Sequence, residues 1–148
     1  MHEFQAKIIT PEMVVAEARR YLGVGFKHQG LTASGLDCSG LVLLTGKNLE
    51  QVPSDLRRAA YSLLPHPRLF AELTLHLDSV QGEAIDGDIF LMCHRAHKRK
   101  PAHLAFKTPL GLLHIHPAES LNRVAEHSLR DEWPSLILET FRFKGVRA

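Results

Sequence analysis

At 148 residues the chain has room for one compact domain and little for a second. Apolar residues make up 45% and charged residues 23%, the balance of a globular protein rather than a disordered or fibrous one. The net charge of +2 is too small to point to nucleic acid, and no apolar run approaches the roughly 18 residues of a membrane span.

The opening segment, MHEFQAKIITPEM, has no basic start followed by an apolar stretch. A chain without a visible secretory signal is expected to be cytoplasmic as synthesised, unless another component carries it out. The first predicted element is a helix from about Thr10 to Leu22. Thr10 can cap it, Pro11 suits its first position and Glu12 suits the positive end of its dipole. Val14, Val15, Ala18, Tyr21 and Leu22 form its apolar stripe, and Gly23 stops it. A loop without period follows to Gly35.

GLDCSGLVLLTGKNL is apolar on nearly every side from Ser39 to Leu49, which predicts a buried helix capped by Asp37. Pro53-Ser54-Asp55 then opens a predicted short helix through Leu64, and Arg68 to Leu77 reads as another. From Gly87 the pattern becomes short segments with turn residues between them: GDIFLMC, HLAFKT, GLLHIHP, RVAEHSL and LILETFRF. Helices first and an antiparallel sheet second define an α+β domain. The basic run His94-Arg95-Ala96-His97-Lys98-Arg99-Lys100 reads as a solvated loop, with contact to an anionic polymer as the alternative.

Two cysteines without sign of secretion do not make a disulfide framework. Cys93 ends an apolar stretch and reads as a small buried hydrophobe. Cys38 stands at the start of the buried helix, between Asp37 and Ser39. A helix N-terminus lowers a thiol's pKa, and its amides can hold an oxyanion. The competing reading is a cysteine that merely packs in the core.

A cysteine nucleophile needs a base, and the base needs a third group to fix its tautomer. His103 opens the segment HLAFKT, where it is expected to project at a sheet edge. In the next segment Leu112, His114 and His116 share one face, alternating with Leu113 and Ile115. If the two segments pair as a hairpin, His103 comes near His114 and His116. A metal site built from His114, His116 and either His103 or Cys93 is the weaker reading, because His-x-His alone falls short of a zinc set. Asp86 and Asp88 around Gly87 read as turn chemistry rather than paired catalytic acids.

With these residues in view the chain resembles the NlpC-type cell-wall endopeptidases, a bacterial branch of the papain-like cysteine peptidases. GLDCSGLV (Gly35 to Val42) is similar to their Asp-Cys-Ser-Gly signature, GDIFLM to the strand before their histidine, PAHLAF to the histidine strand and GLLHIHP to the strand of the third polar residue. The likeness runs from about Pro11 to the C-terminus, and His28-Gln29 with the ending ETFRF is most similar to the phage cell-wall peptidases. The resemblance implies a papain-like fold with Cys38 as nucleophile, His103 as base and His114 as the orienting third member, with His116 as the alternative. It further implies substrate contacts from Asp37, Ser39, His28 and Phe26, the last standing where many relatives carry tyrosine. It implies no cofactor, and as partners peptidoglycan stem peptides and, for a phage-borne enzyme, tail proteins. The expected reaction is hydrolysis of the bond between D-γ-glutamate and a diamino acid. The rival readings are an amidase or acyltransferase using the same Cys-His pair, and a non-catalytic tail-assembly protein.

Overall fold

Helix α1, Pro11–Arg19, forms where its signals predict. Thr10 caps it through a side-chain bond to the amide of Met13 (3.2 Å), and Val14, Val15 and Ala18 are buried. The helix ends at Arg20, short of the expected Leu22, and Leu22 is exposed. Tyr21 stays in the core because its hydroxyl has a place to go. It donates to Glu17 (2.8 Å) and accepts from Asn48 (2.6 Å) of the second helix. The computed structural model describes residues 4–56, 71–115 and 122–148.

A two-stranded ribbon, β1 (Leu31–Thr32) and β2 (Gly35–Leu36), leads directly into α2, Cys38–Asn48. Most of α2 is buried, as its all-round apolar sequence demands, and it packs against both α1 and the sheet strand β5, His97–Lys107. Residues 53–56 form a turn; the remainder of the short helix expected through Leu64 lies outside the described residues. The next expected helix is described only as α3, Ala71–Thr74. Leu77, assigned to that helix from sequence, instead opens strand β3, Leu77–Ser79, because it pairs with a strand from the far end of the chain.

The main sheet is antiparallel, with order β3-β8-β4-β5-β6-β7. Its other strands are β4 (Ile89–His94), β6 (Leu112–His114), β7 (Ala125–His127) and β8 (Ile137–Phe143). Alternation along the strands divides the core in two. Ile89, Leu91, Leu104, Phe106 and Leu113 face α1 and α2. Phe90, Met92, Ala105 and Leu112 face Leu136, Trp133 and Ile137 of the segment that includes a 3-10 helix, Trp133–Leu136. The sheet is therefore covered on both sides, and β4 reads as an unbroken apolar run for that reason.

Two expectations about the histidine strand need correction. The basic run is not a free loop but the β4–β5 hairpin, with His94 opposite His97 around a two-residue turn. Because β5 begins at His97, His103 lies within an inner strand and not at a sheet edge. It is only 4% exposed. The Asp86-Gly87-Asp88 turn is structural, as expected. Asp88 is buried, caps the amide of Ile85 (2.9 Å) and holds Arg142 of β8 by two bonds of 2.7 and 2.8 Å. That pairing keeps the Arg142 guanidinium above its ordinary pKa, and Lys107 pairs with Asp86 (2.8 Å). Among the described residues no helix is long and apolar enough to cross a membrane.

Candidate active site

Cys38 occupies the first turn of α2, half-buried and not in a disulfide; Cys93 is buried and free, as a small apolar residue. The local sequence makes this position rigid. Asp37 caps α2 by accepting the amide of Gly40 at 2.8 Å, and its second oxygen accepts the amide of Gln29 at 2.9 Å. Ser39 donates a longer bond of 3.4 Å to the same carboxylate. Gly40 is glycine for a steric reason, since a Cβ there would run into the carbonyl oxygen of Gly30. One buried carboxylate thus ties the preceding loop to the amide-bearing end of the helix. Such an end favours a thiolate and can hold an oxyanion.

Backbone bonds bring that helix tip to one end of the sheet. Leu36, two residues before Cys38, exchanges bonds with the 25–27 segment (Lys27 N to Leu36 O, 2.9 Å; Leu36 N to Gly25 O, 3.1 Å). The same segment bonds to the lead-in of β7 through Phe26 N to Asn122 O (3.0 Å), Val124 N to Val24 O (2.8 Å) and Gly23 N to Val124 O (2.9 Å). β7 in turn pairs Ala125 with His114. Phe26 is half-buried against the core and joins these layers, whereas His28 is exposed in the same loop.

Across β5 and β6 the expected hairpin forms, with Phe106 opposite Leu113 and Lys107 opposite Leu112. That register places His103 beside the end of β6, and Nε2 of His103 lies 2.6 Å from Nδ1 of His114. Both rings are buried. A bulge in the β4–β5 pairing falls beside His103, between Met92 and Cys93. Such an irregularity re-aims neighbouring side chains and is common beside active sites. His116, the alternative third member, lies outside the described residues.

The chain of rings extends one residue further than the sequence indicated. Nε2 of His114 lies 2.7 Å from Nε2 of His127 on β7, and Nδ1 of His127 lies 2.9 Å from the carbonyl oxygen of Ser128. Trp133 lies against the far pair, with ring centroids 5.1 Å from His114 and 5.0 Å from His127. The neighbouring Glu126 is engaged elsewhere. Arg19 of α1 holds it with bonds of 2.9 and 2.7 Å, which keeps its carboxyl below the usual range despite partial burial. The sequence signal for His127 is the alternation of the RVAEHSL segment, which puts Ala125 and His127 on one face; only the strand pairing then brings that face beside His114 and Leu112. Among the described residues no cluster of histidine, cysteine and carboxylate side chains has the arrangement of a metal site.

The fold is that of the NlpC/P60 domains. The chain superimposes on the NlpC/p60 domain of the peptidoglycan hydrolase SagA with a TM-score of 0.61 and 17% identity, over 90% of this chain and 98% of that one. An NlpC/P60 family protein from Bacillus cereus ATCC 10987 gives a TM-score of 0.68 at 15% identity, over 95% of this chain and 42% of that one. A protein similar to a lipoprotein of the NLP/P60 family, from Staphylococcus aureus subsp. aureus Mu50, gives 0.57 at 17% identity, over 99% of this chain and 46% of that one. The chain therefore spans nearly the whole of the first domain and less than half of the other two chains. No family model and no curated protein matches at the level of sequence.

Proposed function

We propose that the protein is a cysteine peptidase that hydrolyses peptidoglycan stem peptides, with Cys38 as nucleophile, His103 as general base and His114 as the residue that orients it. The observation that carries this reading is the buried 2.6 Å bond between His103 and His114, at the end of the sheet to which backbone bonds tie the helix tip of Cys38. A solved domain of the same fold belongs to a peptidoglycan hydrolase, which supports the substrate class.

With Nε2 of His103 committed to His114, Nδ1 is the nitrogen that exchanges a proton with the thiol. The Cys38 thiolate attacks the scissile carbonyl, and the oxyanion meets the amides at the start of α2. His103 then protonates the departing amine. Water, deprotonated by His103, releases the acyl product and restores the thiol. Asp37 is chiefly a structural cap, since both of its oxygens accept from the protein's own donors, and its part in substrate binding is indirect. Phe26 and His28 on the 23–27 loop and its continuation are the side chains proposed to meet the stem peptide, at the D-γ-glutamyl–diamino acid bond. Delivery with a phage tail is a setting that fits the His28-Gln29 and ETFRF likeness.

Purified muropeptides incubated with the wild type and with Cys38→Ala, then analysed by mass spectrometry, test the reading. Cleavage of the D-γ-glutamyl bond by the wild type alone is expected. Equal cleavage by Cys38→Ala would overturn it. Release of products from simple amides but not muropeptides would move the assignment to an amidase on the same site.

A further inference from the structure

We propose that His127 is a positioning residue for this site, and that the carbonyl of Ser128 sets the protonation of all three histidines through it. This deepens the peptidase reading and rests on it for the role of His103. The carbonyl of Ser128 has a fixed role in this row of rings. A backbone carbonyl can only accept, so the 2.9 Å contact with Ser128 requires the proton of neutral His127 to be on Nδ1. Its Nε2 is then a lone pair facing Nε2 of His114 at 2.7 Å, which must donate. Nδ1 of His114 becomes an acceptor and takes the proton on Nε2 of His103 at 2.6 Å. Nδ1 of His103 is left able to accept a proton, which is the state a general base requires.

Removal of His127 breaks this row of bonds at its middle. His114 would no longer be obliged to donate from Nε2, and His103 could rest with its proton on the wrong nitrogen. A proton added to His127 has a related effect, because Nε2 of the cation donates and the two bonds between the rings reverse while that to Ser128 is kept. Among the described residues, the titratable group in contact with His127 is His114 of β6, the 3-10 helix contributes the non-titrating Trp133, and Glu126 on its own strand is held by Arg19.

Two variants and three readouts test the proposal. Histidine-selective 15N NMR of the wild type should show Nδ1–H for His127 and Nε2–H for both His114 and His103. Iodoacetamide alkylation, followed at Cys38 by peptide mass spectrometry, reports the thiolate without a substrate. In His127→Ala, muropeptide cleavage should fall about 10- to 100-fold in kcat/KM, the usual loss for an outer orienting partner. Its Cys38 alkylation profile should move towards that of an ordinary thiol, and His103 should show mixed tautomers. His127→Gln offers an amide oxygen to Nε2–H of His114 and should stay within about threefold of wild type. A wild-type His103 with its proton on Nδ1, or a His127→Ala protein with unchanged tautomers and alkylation, overturns the proposal. Wild-type tautomers as stated, without muropeptide cleavage, would overturn only the substrate reading.

Discussion

Replacement of Asp37 by alanine removes one carboxylate and two kinds of support at once. The first is the cap on α2, the 2.8 Å bond from Gly40, worth about 0.5–2 kcal/mol in comparable helices. The second is the 2.9 Å bond from the amide of Gln29, which would face a gap at a residue only 3% exposed. Loss of a charged partner for a part-buried amide costs about 1–3 kcal/mol. The two together give a loss of about 2–4 kcal/mol, to be read from urea unfolding. At about 2–4 °C per kcal/mol for a domain of this size, the melting temperature should fall by roughly 5–15 °C. Asp37→Asn separates the contributions. Asparagine caps as well as aspartate, yet its NH2 group would oppose the Gln29 amide, so the loss should be about 1–2 kcal/mol. Equal damage from both variants, or a change below about 0.5 kcal/mol for alanine, would refute the view that this carboxylate locks the loop to the helix.

Gly40→Ala should cost about 3 kcal/mol in the same assay, since its methyl group would meet the fixed carbonyl of Gly30. Gly46→Ala, whose methyl group would meet the movable edge of the Phe143 ring at 2.9 Å, should cost nearer 1 kcal/mol. Arg19→Gln should lower stability by about 0.5–1 kcal/mol at pH 7, the scale of a partly exposed pair. The Glu126 carboxyl is held below its ordinary value of 4.5, chiefly by its bond to Arg19. A depressed acid stabilises the fold above the unfolded-state value and loses that contribution as pH falls through the folded one. Unfolding curves of wild type and Arg19→Gln should therefore differ at pH 7 and converge below pH 4.5.

The parts of the fold legible in the sequence were those with a strong local cause. Asp37 before an all-apolar run announced both the buried helix and its cap, and Thr10-Pro11 did the same for α1. The His103–His114 contact could be anticipated because two short segments separated by Pro109-Leu110-Gly111 have little choice but to pair. What escaped notice depended on distant partners. Leu77–Ser79 is too short to show a period and is a strand only because β8 runs beside it. The run His94–Lys100 looks like a loop by composition, whereas the sheet extends into it by continuing β4 and β5 past the core. His127 was hidden for the same reason. Its partner lies on the preceding strand across a register that nothing adjacent to it specifies.

The chain contains a single tryptophan, and it is the ring that lies against His114 and His127. Indole emission is quenched by a nearby imidazolium far more than by neutral imidazole. The protein thus carries its own optical gauge of charge at the inner end of the site. An unlabelled sample titrated in a fluorimeter should dim as those rings become cationic, so occupancy and acidity can be followed without a dye.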